Sequence, residues 1–123
     1  MARTRNRAFV TGGQPARNRI QLELLEGEAF KEASAALAVL RARPEVDPGR
    51  IGAVGHSFGG SLTVLMTGRK SGLRAAVVFS GGGYSWARSP ALRARLRAAV
   101  AATAVPLLFI HAANDYSTAP GTE

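Results

Sequence analysis

The chain of 123 residues contains no cysteine. That single absence excludes disulfides, thiolate metal sites and a cysteine nucleophile. Histidine is almost as scarce, with only His56 and His111 present. No apolar run approaches the ~18 residues that a membrane-spanning helix needs. The N-terminal arginines Arg3, Arg5 and Arg7 are followed by no apolar stretch and no small-residue cleavage site, so the segment does not read as a secretory signal. The same segment is poor in hydroxyl residues and has no amphipathic run, so it does not read as a transit peptide either. A cytoplasmic location without membrane contact is the default expectation. There are no internal repeats.

Acidic residues are also few. Eight Asp and Glu face sixteen Lys and Arg, giving a net charge of +8 and a pI near 11.5. A nucleic-acid surface usually clusters its cations and interleaves aromatics with them. Here the cations are nearly all arginine and are scattered among alanines, as at Arg41 and Arg43 or Arg93, Arg95 and Arg97. Helical spacing places them on solvated faces, and no nucleic-acid partner is expected.

What is present is a globular composition, 46% apolar, in a length that suits one domain and is too short for two. Residues 1–18 are polar, are interrupted by Gly12, Gly13 and Pro15, and show no periodicity, so they read as an N-terminal segment without regular structure. Residues 19–123 read as the domain. From 20 to 43 the apolar positions Leu22, Leu25, Ala29, Ala33, Leu37 and Leu40 follow a helical period, and Pro44 ends it. Residues 50–54 form a short strand, 61–68 a helix, 74–80 a second strand. Ser89 and Pro90 open a helix that runs to about 102, and 107–111 form a third strand.

Strand–helix–strand–helix–strand at this spacing predicts an α/β fold with a parallel sheet. The strands are continuously apolar, as in a three-layer sandwich with helices on both faces. Active groups in such sheets gather at the carboxyl ends of the strands. Ser57 follows the first strand and Asp115 the third.

The central motif is Gly55-His56-Ser57-Phe58-Gly59-Gly60. A G-x-S-x-G pentapeptide alone is weak, but here an apolar strand enters it and a helix of small residues leaves it. The turn is tight and holds the serine in a strained conformation. Glycines two residues before and after, Gly55 and Gly59, avoid side-chain collisions, and the Phe58 backbone N–H points to where an oxyanion would form. A phosphate-binding turn is the competing reading, but the glycine spacing fits neither a dinucleotide fingerprint nor a P-loop.

Residues 46–60, with the elbow at their end, resemble the corresponding region of dienelactone hydrolase-like and prolyl oligopeptidase-like α/β-hydrolases. Residues 106–115, followed by Pro120, are similar to the segment bearing their catalytic acid. The resemblance covers residues 20–123 and implies a partial α/β-hydrolase fold. It implies Ser57 as nucleophile, Asp115 as triad acid and the Phe58 N–H as one oxyanion donor. The substrate would be a small ester or related acyl compound, with no cofactor and no metal. The chain departs from the founding dienelactone hydrolases, which use cysteine as nucleophile, and from prolyl oligopeptidases, which usually carry tyrosine where Phe58 stands.

Neither histidine suits the role of general base. His56 adjoins Ser57 in the turn and points elsewhere, and His111 ends the third strand, about two strand spacings away. In the resembling families the catalytic histidine follows one further strand. The chain therefore reads as a fragment or a degenerate relative. The alternative is a non-catalytic module of the same fold, and uncovered sheet edges make self-association an expectation.

Overall fold

The helical stretch predicted over 20–43 divides at Gly27, whose backbone leaves the helical region at φ −108°, ψ −104°. The computed structural model describes residues 2–122. Helices α1 (Ala2–Thr11), α2 (Gly13–Glu26) and α3 (Glu28–Arg41) precede strand β1 (Gly52–His56). Helix α4 (Phe58–Gly68), strand β2 (Ala75–Phe79), helix α5 (Pro90–Ala102) and strand β3 (Leu107–Ile110) follow, and a 3-10 turn (Ala119–Gly121) closes the order.

The polar segment 1–18 differs from its reading as irregular chain. Over its described residues it is helical, in α1 and the start of α2. Its apolar residues are too few to display a period, so long-range contacts have to anchor it. The Arg5 guanidinium meets Glu28 at 2.8 Å, and the Asn18 amide donates to the Arg88 carbonyl at 2.6 Å. Just beyond the segment Ile20 is buried.

The three strands form one parallel sheet in the order β1-β2-β3. In register, Val54 pairs with Val77 and Val77 with Leu108, while His56 pairs with Phe79 and Phe79 with Ile110. Alternation divides these side chains between two faces. Ala53, Gly55, Ala76, Val78, Leu107 and Phe109 point toward the helices and are buried or half-buried. On the other face Val54, Phe79, Leu108 and Ile110 are exposed, Val54 at 71% and Leu108 at 56%. The α/β class and the parallel sheet are as expected. Of the layers of a sandwich, the described residues supply two, helices and sheet.

Helix α4 is the centre of the helical layer. It lies on β1 and β2 and packs against α2, α3 and α5. This surrounds it with protein, which is why Gly60, Ser61, Thr63, Val64, Leu65, Met66 and Thr67 are all buried. One apolar cluster joins Leu25, Val64, Leu65, Val78, Trp86, Leu92 and Leu96. A second joins Leu37, Ile51, Met66 and Leu73. Between them they hold α4 on the sheet, with Val78 of β2 in the first and Ala53 of β1 packed against the second. No helix among the described residues is long and apolar enough to cross a membrane.

Candidate active site

Ser57 stands between β1 and α4 with φ 53° and ψ −113°. This is a conformation that L-residues adopt only when the surroundings enforce it. The enforcement is visible. The Ser57 N–H donates to the Phe79 carbonyl at 2.9 Å, which ties it to the end of β2, and its own carbonyl accepts from the Ser61 N–H at 3.1 Å. A Cβ on Gly55 would come within 2.2 Å of the Gly59 carbonyl oxygen and 2.5 Å of Thr63 Oγ1. Only glycine fits beneath the turn. Ser57 itself is exposed.

Gly59 differs from its expected role. A Cβ there would meet nothing within 4 Å, so its own side-chain position is open. What matters is its carbonyl, which packs over Gly55 and accepts from the Thr63 hydroxyl at 2.8 Å. The steric need falls on Gly60 instead, where a Cβ would stand 3.0 Å from the Gly81 Cα and 3.1 Å from Val78 Cγ1. The second glycine of the Gly59-Gly60 pair was the available signal.

Phe58 is the first residue of α4. Its N–H has no carbonyl one turn earlier in the helix to receive it, and it lies at the positive end of the helix dipole. It is thus a donor beside Ser57 that the helix itself does not use.

Asp115 lies at the same edge of the sheet, in the loop after β3. Its N–H donates to the Ala112 carbonyl at 3.0 Å, and its Oδ1 accepts the Tyr116 N–H at 2.8 Å. Its side chain is 13% exposed, with His111 and Gly83 beside it. The neighbouring Ser80 hydroxyl, then the Tyr116 N–H, draw its pKa below the ordinary carboxylate value. Burial opposes them and His111 adds to them.

The two histidines separate. His56 is exposed, and strand alternation puts it on the bare face with Val54. His111 turns to the helical side, with its side chain only 6% exposed. Its Nδ1 stands 3.5 Å from Asp115 Oδ2, and neither ring nitrogen has a hydrogen-bond partner. The fold therefore brings Ser57, the Phe58 N–H, Asp115 and His111 to the carboxyl edge of the sheet, and turns the His56 side chain to the opposite face.

A cavity of about 430 Å³ opens between α5, β3 and the 3-10 turn, lined by apolar residues including Trp86, Leu96 and Phe109, with Arg97 at its side. None of Ser57, Phe58 and Asp115 lines it. Among the described residues no three side chains of metal-binding type converge.

The model of the dienelactone hydrolase family matches residues 11–122. The chain belongs to that family. It is thereby a member of a hydrolase family of the α/β type, and the parallel sheet and strand-to-helix turn are its architecture. Neither curated proteins nor solved structures give a match.

Proposed function

We propose that the chain carries the nucleophile and acid of a serine hydrolase acting on an ester or related acyl bond. The observation that carries this reading is Ser57 held at φ 53° on a turn that tolerates only glycine at position 55. A backbone held this way at a strand-to-helix turn presents the serine oxygen clear of the sheet. In the reaction, Ser57 Oγ attacks the acyl carbon while its proton passes to a base, and an oxyanion develops within reach of the Phe58 N–H. Collapse expels the alcohol as the base returns the proton, and water then releases the acyl group. Asp115, a carboxylate at ordinary pH, orients the base and balances its positive charge.

That base lies outside residues 1–123 in this reading. His56 is on the other face, and His111 follows β3, two strand spacings across the sheet from β1. A serine hydroxyl without its histidine loses about a million-fold in kcat, so turnover by these residues alone stays near background. Soluble imidazole supplies the missing group. With an activated ester, the protein-dependent rate is expected to rise with imidazole concentration and to vanish in Ser57→Ala. Equal rates in both proteins at every imidazole concentration would reject Ser57 as nucleophile. Strong turnover without imidazole, lost in His111→Ala, would move the base to His111.

A non-catalytic module is the second reading. It is favoured by the bare sheet face around Val54 and Leu108, which suits binding to another protein surface. It predicts no imidazole-dependent difference between the two proteins.

A further inference from the structure

Helix α5 carries three arginines at alternate positions, and their surroundings differ. The Arg95 guanidinium pairs with Glu26 of α2, and Arg93 donates to the Trp86 carbonyl at 3.4 Å. Arg97 has no carboxylate within ion-pair distance and no hydrogen-bond acceptor among the described residues. It is exposed and lies four residues after Arg93, on the same side of the helix.

That side of α5 borders the cavity over β3. Leu92, Leu96 and Ala99 form the buried face of the helix. Leu96, Arg97 and Val100 line the cavity, and Val100 is an apolar side chain left 41% exposed. Trp86 is buried in the core behind it, and Phe109 of β3 supplies a further wall. Thr122, the one hydroxyl residue in the lining, donates its hydroxyl to the Ala119 carbonyl at 3.3 Å. Among the described residues no carboxylate lines the space, and Arg97 is its one charged group. A volume of about 430 Å³ falls within the range of small-molecule pockets, which are mostly apolar with a few orienting polar groups.

We propose that this cavity binds a small amphiphilic carboxylate, its hydrocarbon body against Trp86, Leu96, Val100 and Phe109 and its carboxylate on Arg97. Charge complementarity selects the ligand class. A neutral apolar molecule leaves Arg97 unused, and an ammonium is repelled by Arg97 and by Arg93 one turn away. A carboxylate matches the guanidinium fork, which can donate two parallel N–H bonds to it. The apolar walls contribute affinity in proportion to the hydrocarbon they cover. None of Ser57, Phe58 and Asp115 lines the cavity, so the site stands whether or not Ser57 is a nucleophile.

Trp86 is the only tryptophan of the chain and stands in the cavity wall, so its fluorescence reports occupancy directly. The test titrates octanoate, octanol and octylammonium, each below its micelle concentration, into the 123-residue protein and into Arg97→Gln and Val100→Glu. Octanoate is expected to give a saturable change in Trp86 emission, with an affinity about three- to tenfold above that of octanol. Octylammonium should give none over the same range. Shortening the carboxylate should weaken binding about fourfold for each methylene removed. Arg97→Gln should lower octanoate to the octanol level and leave octanol unchanged, and Val100→Glu should abolish octanoate binding. Both positions are exposed, so both variants are expected to melt near the wild type. No saturable response to octanoate overturns the proposal, as do equal affinities for octanoate and octanol in the wild type or octanoate binding unchanged in Arg97→Gln. An emission that shifts with protein concentration alone would also overturn it, by making a second copy of the chain the occupant.

Discussion

His111 and Asp115 face each other across 3.5 Å, Nδ1 to Oδ2, at the carboxyl end of β3. With Ser80 and the Tyr116 N–H, this contact keeps the Asp115 pKa below its unfolded value of about 3.8. A carboxylate with a depressed folded pKa contributes stability that is present above the unfolded pKa and is lost as pH falls through the folded one. The protein should therefore lose stability below about pH 3.8, the unfolded value. Denaturant unfolding of the wild type and Asp115→Asn at pH 7 and at pH 3 checks this. The variant is expected to lose less between the two pH values, and equal losses would place the acid sensitivity elsewhere.

The glycines of the elbow should behave in opposite ways. Alanine at Gly55 would drive a Cβ to within 2.2 Å of the Gly59 carbonyl oxygen, and overpacking of this kind costs about 1–3 kcal/mol or more. Alanine at Gly59 meets nothing within 4 Å and joins a helix in which it is favoured over glycine by up to ~1 kcal/mol. Thermal unfolding should show Gly55→Ala strongly destabilised and Gly59→Ala unchanged or slightly stabilised. A comparable loss in both variants would contradict this description of the turn.

Ser57 stores strain, so its two simplest replacements should differ. Alanine keeps the unfavourable backbone at φ 53°, a cost of about 1–3 kcal/mol for a residue with a Cβ. Glycine removes that cost and gives back part of the gain through the greater freedom of the unfolded chain, about 0.4–1 kcal/mol. Ser57→Gly is expected to melt a few degrees above Ser57→Ala, with imidazole-dependent turnover absent from both. Melting in the opposite order would show a relaxed rather than strained turn.

The sheet presents an apolar face and two unpaired edges, β1 and β3, among the described residues. Exposed edges and apolar patches favour association, against the repulsion of a +8 chain. Sedimentation should show a mass that rises with protein concentration, and more steeply in high salt, where the repulsion is screened. Val54→Lys and Leu108→Lys are expected to shift the protein toward monomer. A monomer at all concentrations and salts would leave this face without a partner in these residues.

The elements whose signals lie in adjacent residues were legible in the sequence alone. Ser89 and Pro90 open α5, where the Ser89 hydroxyl accepts the Leu92 N–H at 3.3 Å. The apolar runs at 75–79 and 107–110 become β2 and β3, and the strand–glycine–serine–glycine–helix order places Ser57 at its strained turn. These follow from local propensity and from sterics within a few bonds. Only the tertiary structure decided what depends on residues far apart in the chain. Helix α1 has no period of its own, and it lies against α2 with Arg5 paired to Glu28. Continuous apolarity in a strand cannot say whether one face or both is covered, and here helices cover one. Gly59 and Gly60 look alike in the motif, yet only Gly60 has β2 and its exit loop against it. Asp115 gains its setting from Gly83 and His111, which reach it only because β2 and β3 pair in register and end side by side.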